Sequence, residues 1–510
     1  MSDRNSPKFA SAAALKFLLL GSLLVATSLS AAEIPDCQRM LLNGEYAECL
    51  KATEEALKQN RYGEAWPILK AQAELLTGQS EAANQTVATA LTRYNWSVRL
   101  RWLGREAALR SGKAEAAVKL FDEIKDLSEK FAWRYTDSEE MVVLGRVDLL
   151  NGTDARDVLD KRFERAKQRN PRSRDAWLAI GELSLDKHDD ALAADIFRAA
   201  LKLFPEDPDM HFGLGRALLS SDSKLAAEQF DASIKTNPKH IPCKLLAIEQ
   251  FIDAESYAEA NELIDTVIAI NPQQPEAWAY RSVIAHFTND ARGEAAFHEK
   301  ALSPWQNNPV PDFLIGKKLS QHYRFTEGAT YQRRALAIEP TFVAAQRQLA
   351  QDLLRLGDED AGWQLAQQAH DRDAYNVATF NLLELRDALK EFVTIENDSF
   401  VLRMEKQEAQ LYGPETLELL GSAKQSLSEK YGLKLKGKIT VEIFPEQNDF
   451  AVRTFGMPAV SGYLGVCFGR VITANSPASR REQPSNWQSV LWHEFCHVVT
   501  LELTHNRIPR

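Results

Sequence analysis

Near the end of the chain, Trp492-His493-Glu494-Phe495-Cys496-His497 sets two histidines four residues apart with a glutamate beside the first. On an α-helix, residues i and i+4 project from one face, about 40° apart around the axis. Two neutral imidazoles at that spacing can grip one Zn²⁺ through bonds of ~2.0–2.1 Å. Glu494 then stands where a general base takes a proton from water. The alternative is a fortuitous pair of helix histidines. A catalytic zinc takes three protein ligands and keeps a fourth position open, and only His493 and His497 are visible. Glu502 falls on the opposite side of such a helix, and His505 lies too far along it unless the chain turns back. Cys496 points about 100° away from His497, which speaks against a thiolate ligand.

The motif needs a rigid helix with a defined second shell. Ser485 with Gln488 three residues on forms a capping-box pattern at its start. Trp487, Val490, Leu491, Val498, Val499, Leu501 and Leu503 then supply apolar positions for a buried helix. A metzincin would place Gly and His three and six residues after the second histidine; Thr500 and Leu503 stand there, which excludes that class. The run from Trp487 to His497 resembles the gluzincin peptidases, and among them the peptidase-MA-like domain found in bacterial proteins behind tetratricopeptide repeats. That resemblance implies that His493 and His497 bind zinc and that Glu494 is the general base. It also implies a third ligand, a Glu in a Pro-x-Trp-Leu-x-Glu-Gly context further on. Ile508-Pro509-Arg510 is similar to the start of that second motif, so the ligand is expected a few residues past Arg510, with the chain cut short before it.

The segment that must position the helix changes character after about residue 390. Phe392–Ile395 and Phe400–Leu402 read as strands around an Asn397-Asp398 turn. A helix is expected from Pro414 to Tyr431, stopped by Gly432. Ile439, Val441 and Ile443 alternate in a strand that ends at Pro445. Gly462 to Thr473 is Gly-rich and β-prone. It reads equally as an ordinary strand or as the edge strand with which, in the family resembled, an extended peptide pairs beside the zinc. Residues 391–510 are thus expected to form a partial α+β zincin-like domain.

Residues 33–390 read as a mainly α solenoid. Pro171, Pro205, Pro238 and Pro272 follow one another at 34, 33 and 34 residues, and the spacing continues more loosely through Pro304 and Pro340. Trp177, Gly181, Ala193, Phe197, Ala200 and Pro205 resemble the tetratricopeptide consensus, in which small residues let paired helices approach and large ones fill the next layer. Leu214, Gly215, Ala226, Phe230 and Pro238 repeat the pattern with a turn one residue shorter, and Ala260, Ile264, Val267 and Pro272 repeat it again. Such an array makes a superhelix whose concave groove holds a peptide or protein partner. Trp177 and Trp278 sit at a consensus core position and are expected to pack rather than bind. Asp186-Lys187-His188-Asp189-Asp190 reads as a solvated turn between two helices.

At the other end, residues 1–32 read as a secretory signal. Arg4, Lys8 and Lys16 precede a short apolar core from Phe17 to Val25, followed by small residues. The core is short for a membrane span, and an uncleaved anchor is the alternative. Export to a periplasmic or extracellular space would permit disulfides. Among five cysteines, Cys37 and Cys49 are close enough in sequence to staple the mature start, Cys243 reads as a small buried apolar residue, and Cys467 with Cys496 is a further conceivable pair. The formal charge of −10, without a clustered basic face, argues against nucleic acid as a partner. Two functions follow: an exported zinc metallopeptidase acting on peptide or protein substrate recruited by the repeats, or a protein-binding scaffold with an inactive peptidase-like tail.

Overall fold

The computed structural model describes residues 32–458, 462–480 and 486–507. The expected signal, Ser485 and Ile508-Pro509-Arg510 lie outside them. Among the described residues, ten helix pairs run from Ile34 to Arg372, followed by a single helix, Val377–Ala388. Repeat 1 pairs Ile34–Leu42 with Tyr46–Lys58, repeat 5 pairs Arg174–Asp186 with Asp190–Leu201, and repeat 10 pairs Val343–Leu356 with Glu359–Arg372. No described helix is long and apolar enough to cross a membrane.

Close packing explains the pairing. Phe197, fully buried, is gripped between Gly181 of its own repeat and Gly213 of the next; a Cβ on either glycine would collide with its ring. Gly215 receives Phe230 and Gly145 receives Phe163 in the same manner. Cys243 is buried, as a small apolar residue should be. Trp177 and Trp278 are half-buried and pack, as expected, against their repeats.

Each of these indoles also closes the loop before it. Trp177 Nε1 donates to the carbonyl of Pro171, and Trp278 Nε1 to that of Pro272, both at 2.9 Å. His211 Nε2 lies 3.0 Å from the Pro205 carbonyl, and Gln346 Nε2 donates to that of Pro340 at 2.9 Å. The step is six residues each time.

Curvature is tight on the inner side, formed by the first helix of each pair. Glu249 of repeat 7 reaches across repeat 8 to Lys317 and Lys318 of repeat 9, at 3.0 and 3.3 Å. Lys318 is fully buried and also meets Asp253 at 2.6 Å. A buried cation persists because it is paired. The Asp186–Asp190 run departs from expectation. It is the turn of repeat 5, but it is not simply solvated: Lys187 pairs with Asp373 at 2.8 Å, and its carbonyl accepts the amide of Val377.

Beyond the array stands a five-stranded sheet of order β1-β2-β3-β5-β4: β1 Phe392–Glu396, β2 Phe400–Glu405, β3 Ile439–Phe444, β4 Gly465–Cys467 and β5 Val471–Asn475. β1 and β2 form the expected hairpin, with Asn397 Oδ1 accepting the amides of Ser399 and Phe400. β2, β3 and β5 are parallel, and β4 is an antiparallel edge. The helix after β2 begins at Lys406, not Pro414, because the Glu405 carboxylate caps the amides of Gln407 and Glu408; Pro414 lies inside it. Helix Gln447–Phe455 was not legible as one. All five cysteines are free thiols; Cys37 and Cys49 share one core cluster unjoined, and no Cys467–Cys496 bond is present.

Gly213→Val should force Phe197 aside, lowering stability by roughly 1–3 kcal/mol in thermal unfolding, with part recovered by adding Phe197→Leu. Asp352, buried beneath Ser320 and Gln348, has its carboxyl pushed up to about 7 by burial. The unfolded chain ionises first, so this residue costs stability as pH rises from about 4 through 7. Asp352→Asn should therefore raise the unfolding free energy at pH 8, by on the order of 1–4 kcal/mol in denaturant titration, with the gain vanishing near pH 4.

Candidate metal centre

The motif helix spans Trp487–Thr504 and packs against the long helix Lys406–Tyr431 and the sheet. Its cap is Asn486, whose side chain accepts the Ser489 amide at 3.0 Å, and not Ser485. The buried face is Leu491, Phe495, Val498, Val499 and Leu501, so the apolar residues expected to anchor it largely do. His493 and His497 stay on the exposed face, and Glu494 is buried.

The two Nε2 atoms lie 3.0 Å apart with the rings edge to face. Two ligands on a tetrahedral zinc stand about 3.3 Å apart for bonds of ~2.0–2.1 Å. The imidazole pair therefore fits two ligand positions. Burial and the neighbouring His493 hold His497 below the ordinary histidine range, which favours the neutral, metal-binding form. Among the described residues, no group of three His, Cys, Asp or Glu side chains could hold a metal ion. Glu502 pairs instead with Arg470 at 3.5 Å. His505 ends the helix in the left-handed region and lines a recess with Arg324 and Glu327 of repeat 9. Burial pushes the Cys467 and Cys496 thiols up, so neither presents a thiolate.

Sequence reading missed Gly465. Edge strand β4 passes so close to the motif helix that a Cβ there would lie 2.8 Å from Glu494 Cγ and 3.1 Å from Glu494 Oε1. Its bare Cα lets the strand cover the carboxylate, and burial pushes that carboxyl up to about 7. A carboxyl poised there both takes and returns a proton near neutrality. The Gly-rich Gly462–Thr473 stretch was the only signal, and it contains both the edge strand and part of its inner neighbour β5.

A tetratricopeptide repeat family model matches residues 147–208 and 189–240. Residues 147–240 are tetratricopeptide repeats, and the helix pairs on either side continue the same stacking. Among solved structures, the chain is similar to the APC/C hetero-tetramer Cut9–Hcn1, at 12% identity over 69% of each chain with a TM-score of 0.43. It is also similar to yeast Tom70, at 13% identity over 70% of this chain and 88% of that one, with a TM-score of 0.35. No curated protein matches the chain.

Asn486→Ala should fray the first turn of the motif helix, at a cost of roughly 0.5–2 kcal/mol. Faster hydrogen exchange confined to the amides of 487–491 would show it.

Proposed function

We propose that the chain is a protein-binding scaffold, a tetratricopeptide coil that holds a protein or peptide partner on its inner face. The carrying observation is a cavity of about 640 Å³ spanning the first helices of repeats 1 to 5. Leu41, Ile68 and Leu69 line it together with the charged Arg39, Arg99, Glu139 and Arg174. Apolar contact with a few charged groups suits an extended peptide segment. Partners cross-linked to the purified chain should map to these helices by mass spectrometry. Arg39→Glu with Arg99→Glu should weaken binding about tenfold or more, the loss of one or two charge-assisted contacts. Cross-links on the outer helices, with affinity unchanged in the variant, would sink the reading.

A second reading is favoured by the imidazole pair and the covered Glu494: a zinc peptidase half-site carried by the scaffold. His493 and His497 would hold the ion, which supplies Lewis acidity when bound. Glu494 would accept a proton from water and pass it to a leaving amine, and the free edge of β4 would pair with an extended substrate. The third ligand, a Glu by family resemblance, is not supplied by the described residues. Export rests on residues 1–32 alone, and N-terminal sequencing of the native protein tests it; a retained signal would make membrane contact part of the picture. Calorimetric titration with Zn²⁺ should show binding that His493→Ala and His497→Ala abolish and Glu494→Gln preserves. Zinc binding that survives both histidine changes would refute the assignment.

A further inference from the structure

In most repeats the turn between the two helices contains one residue of positive φ. It is glycine in repeats 1 to 4, Gly44, Gly78, Gly112 and Gly152, at φ of 78°, 75°, 69° and 83°. In repeats 5, 7, 8 and 9 it is His188, Glu255, Asn289 or Tyr323, at φ of 56–64°. The conformation alone therefore does not demand glycine in this fold.

Proximity does. A Cβ on Gly44 would collide with Asn237 Oδ1, and one on Gly78 with Asn271 Oδ1. A Cβ on Gly112 would lie 3.5 Å from the Pro304 carbonyl, an ordinary contact, so the third register touches without demanding glycine. Gly44 and Gly78 are 34 residues apart, and so are Asn237 and Asn271. The turn of repeat n docks on the loop that leads into repeat n+6, one superhelical turn later. Side chains reinforce the first two registers: Asn237 Nδ2 donates to Tyr46 Oη at 3.3 Å, and Ser80 Oγ to Gln273 Oε1 at 3.5 Å.

The same seam continues. In the fourth register it opens into a cleft of about 380 Å³, and nothing lies within 4 Å of a Cβ on Gly152. In the fifth it closes again: the Val377 amide donates to the Lys187 carbonyl at 3.0 Å, and Asn376 Nδ2 to the Asp186 carbonyl at 3.4 Å. Lys187 adds its pair with Asp373.

What joins the turns is polar. Among the described residues, the hydrophobic clusters of the array each lie within neighbouring repeats and none bridges the seam. The sheet unit, by contrast, is fixed to repeats 9 and 10 by apolar clusters containing Phe325, Phe468, Leu382 and Phe450. Tyr46, Asn237, Asn271 and Asn376 are buried while the seam is closed, but each hydrogen bond across it is worth little net and is replaced by one to water once the turns part. We propose that this seam is a releasable latch that sets the pitch of the coil. Closed, it holds successive turns in register and bounds the inner cavity. Open, it lets the coil lengthen and the cavity widen while each repeat, and the junction with the sheet unit, stays folded.

The test uses the full chain with Gly44→Asn and Gly78→Asn together. Asparagine tolerates the left-handed region, but its Cβ enters the space of Asn237 and Asn271. Gly152→Asn is the matched control, with the same turn position and no neighbour to strike. Small-angle scattering should give the double variant a larger radius of gyration than the control, with equal helix content by circular dichroism. Hydrogen exchange should quicken in loops 237–240 and 271–274. A double variant that scatters and exchanges like Gly152→Asn overturns the latch. Should the double variant lose helix content, Tyr46→Phe with Lys187→Ala decides, because it removes contacts across the seam without adding a Cβ: a larger radius of gyration at unchanged helix content supports the latch, and scattering like the parent chain overturns it.

Discussion

A pair of short helices has too little apolar surface to stand alone, so everything in this protein depends on how closely each pair approaches the next. The approach is set where a ring meets a bare Cα. Phe197 locks repeat 5 to repeat 6 because two glycines, one on each side, leave room for it and nothing else. The interlock fixes the angle between successive repeats, and a fixed angle repeated ten times produces a coil rather than a slab. From that angle follows the tight inner curvature that brings Glu249 to Lys318 across an intervening repeat. From it also follows the return of the chain, after about one turn, to its own earlier loops.

The sheet unit continues this packing rather than hanging from it. Helix Val377–Ala388 closes the array and shares a cluster with Phe444 and Phe450 beneath the sheet. Trp363 of repeat 10 packs against the same cluster. On the far side of the sheet, Phe400, Leu402 and Val441 share a core with Phe495 and Val498 of the motif helix. That core orients the helix, and the orientation divides the motif between two environments. The imidazoles face solvent, where an ion can arrive, and the carboxyl faces inward beneath β4.

The repeats were legible because their signal is periodic and redundant: prolines at 34, 33 and 34 residues survive the loss of any one position. The strands were legible from alternation in Ile439, Val441 and Ile443. Boundaries set by side-chain caps were less so. Glu405 starts a helix eight residues before Pro414 is passed, and an interior proline reads from sequence as a start. The cap of the motif helix fell one residue from the position read, because Ser485 and Asn486 are both good caps and sequence does not rank neighbours. The spacing of His493 and His497 was enough to place both on one face, and the structure brings their Nε2 atoms together. The burial of Glu494 was not legible, since it depends on Gly465, distant in sequence and silent in any motif. The turn at Lys187 looked solvated because its partners, Asp373 and Val377, are nearly two hundred residues on.

The hydrogen bond to the proline carbonyl six residues earlier, made in repeats 5, 6, 8 and 10, shows how one joint can be built from different residues. Tryptophan, histidine and glutamine share almost nothing as letters, yet each offers one N–H at a similar reach. Trp177, His211, Trp278 and Gln346 are thus synonyms for a single joint. The joint is kept in repeats 5, 6, 8 and 10 although the residue that makes it differs. In this chain the joint is defined by which atoms meet and not by which residue supplies them.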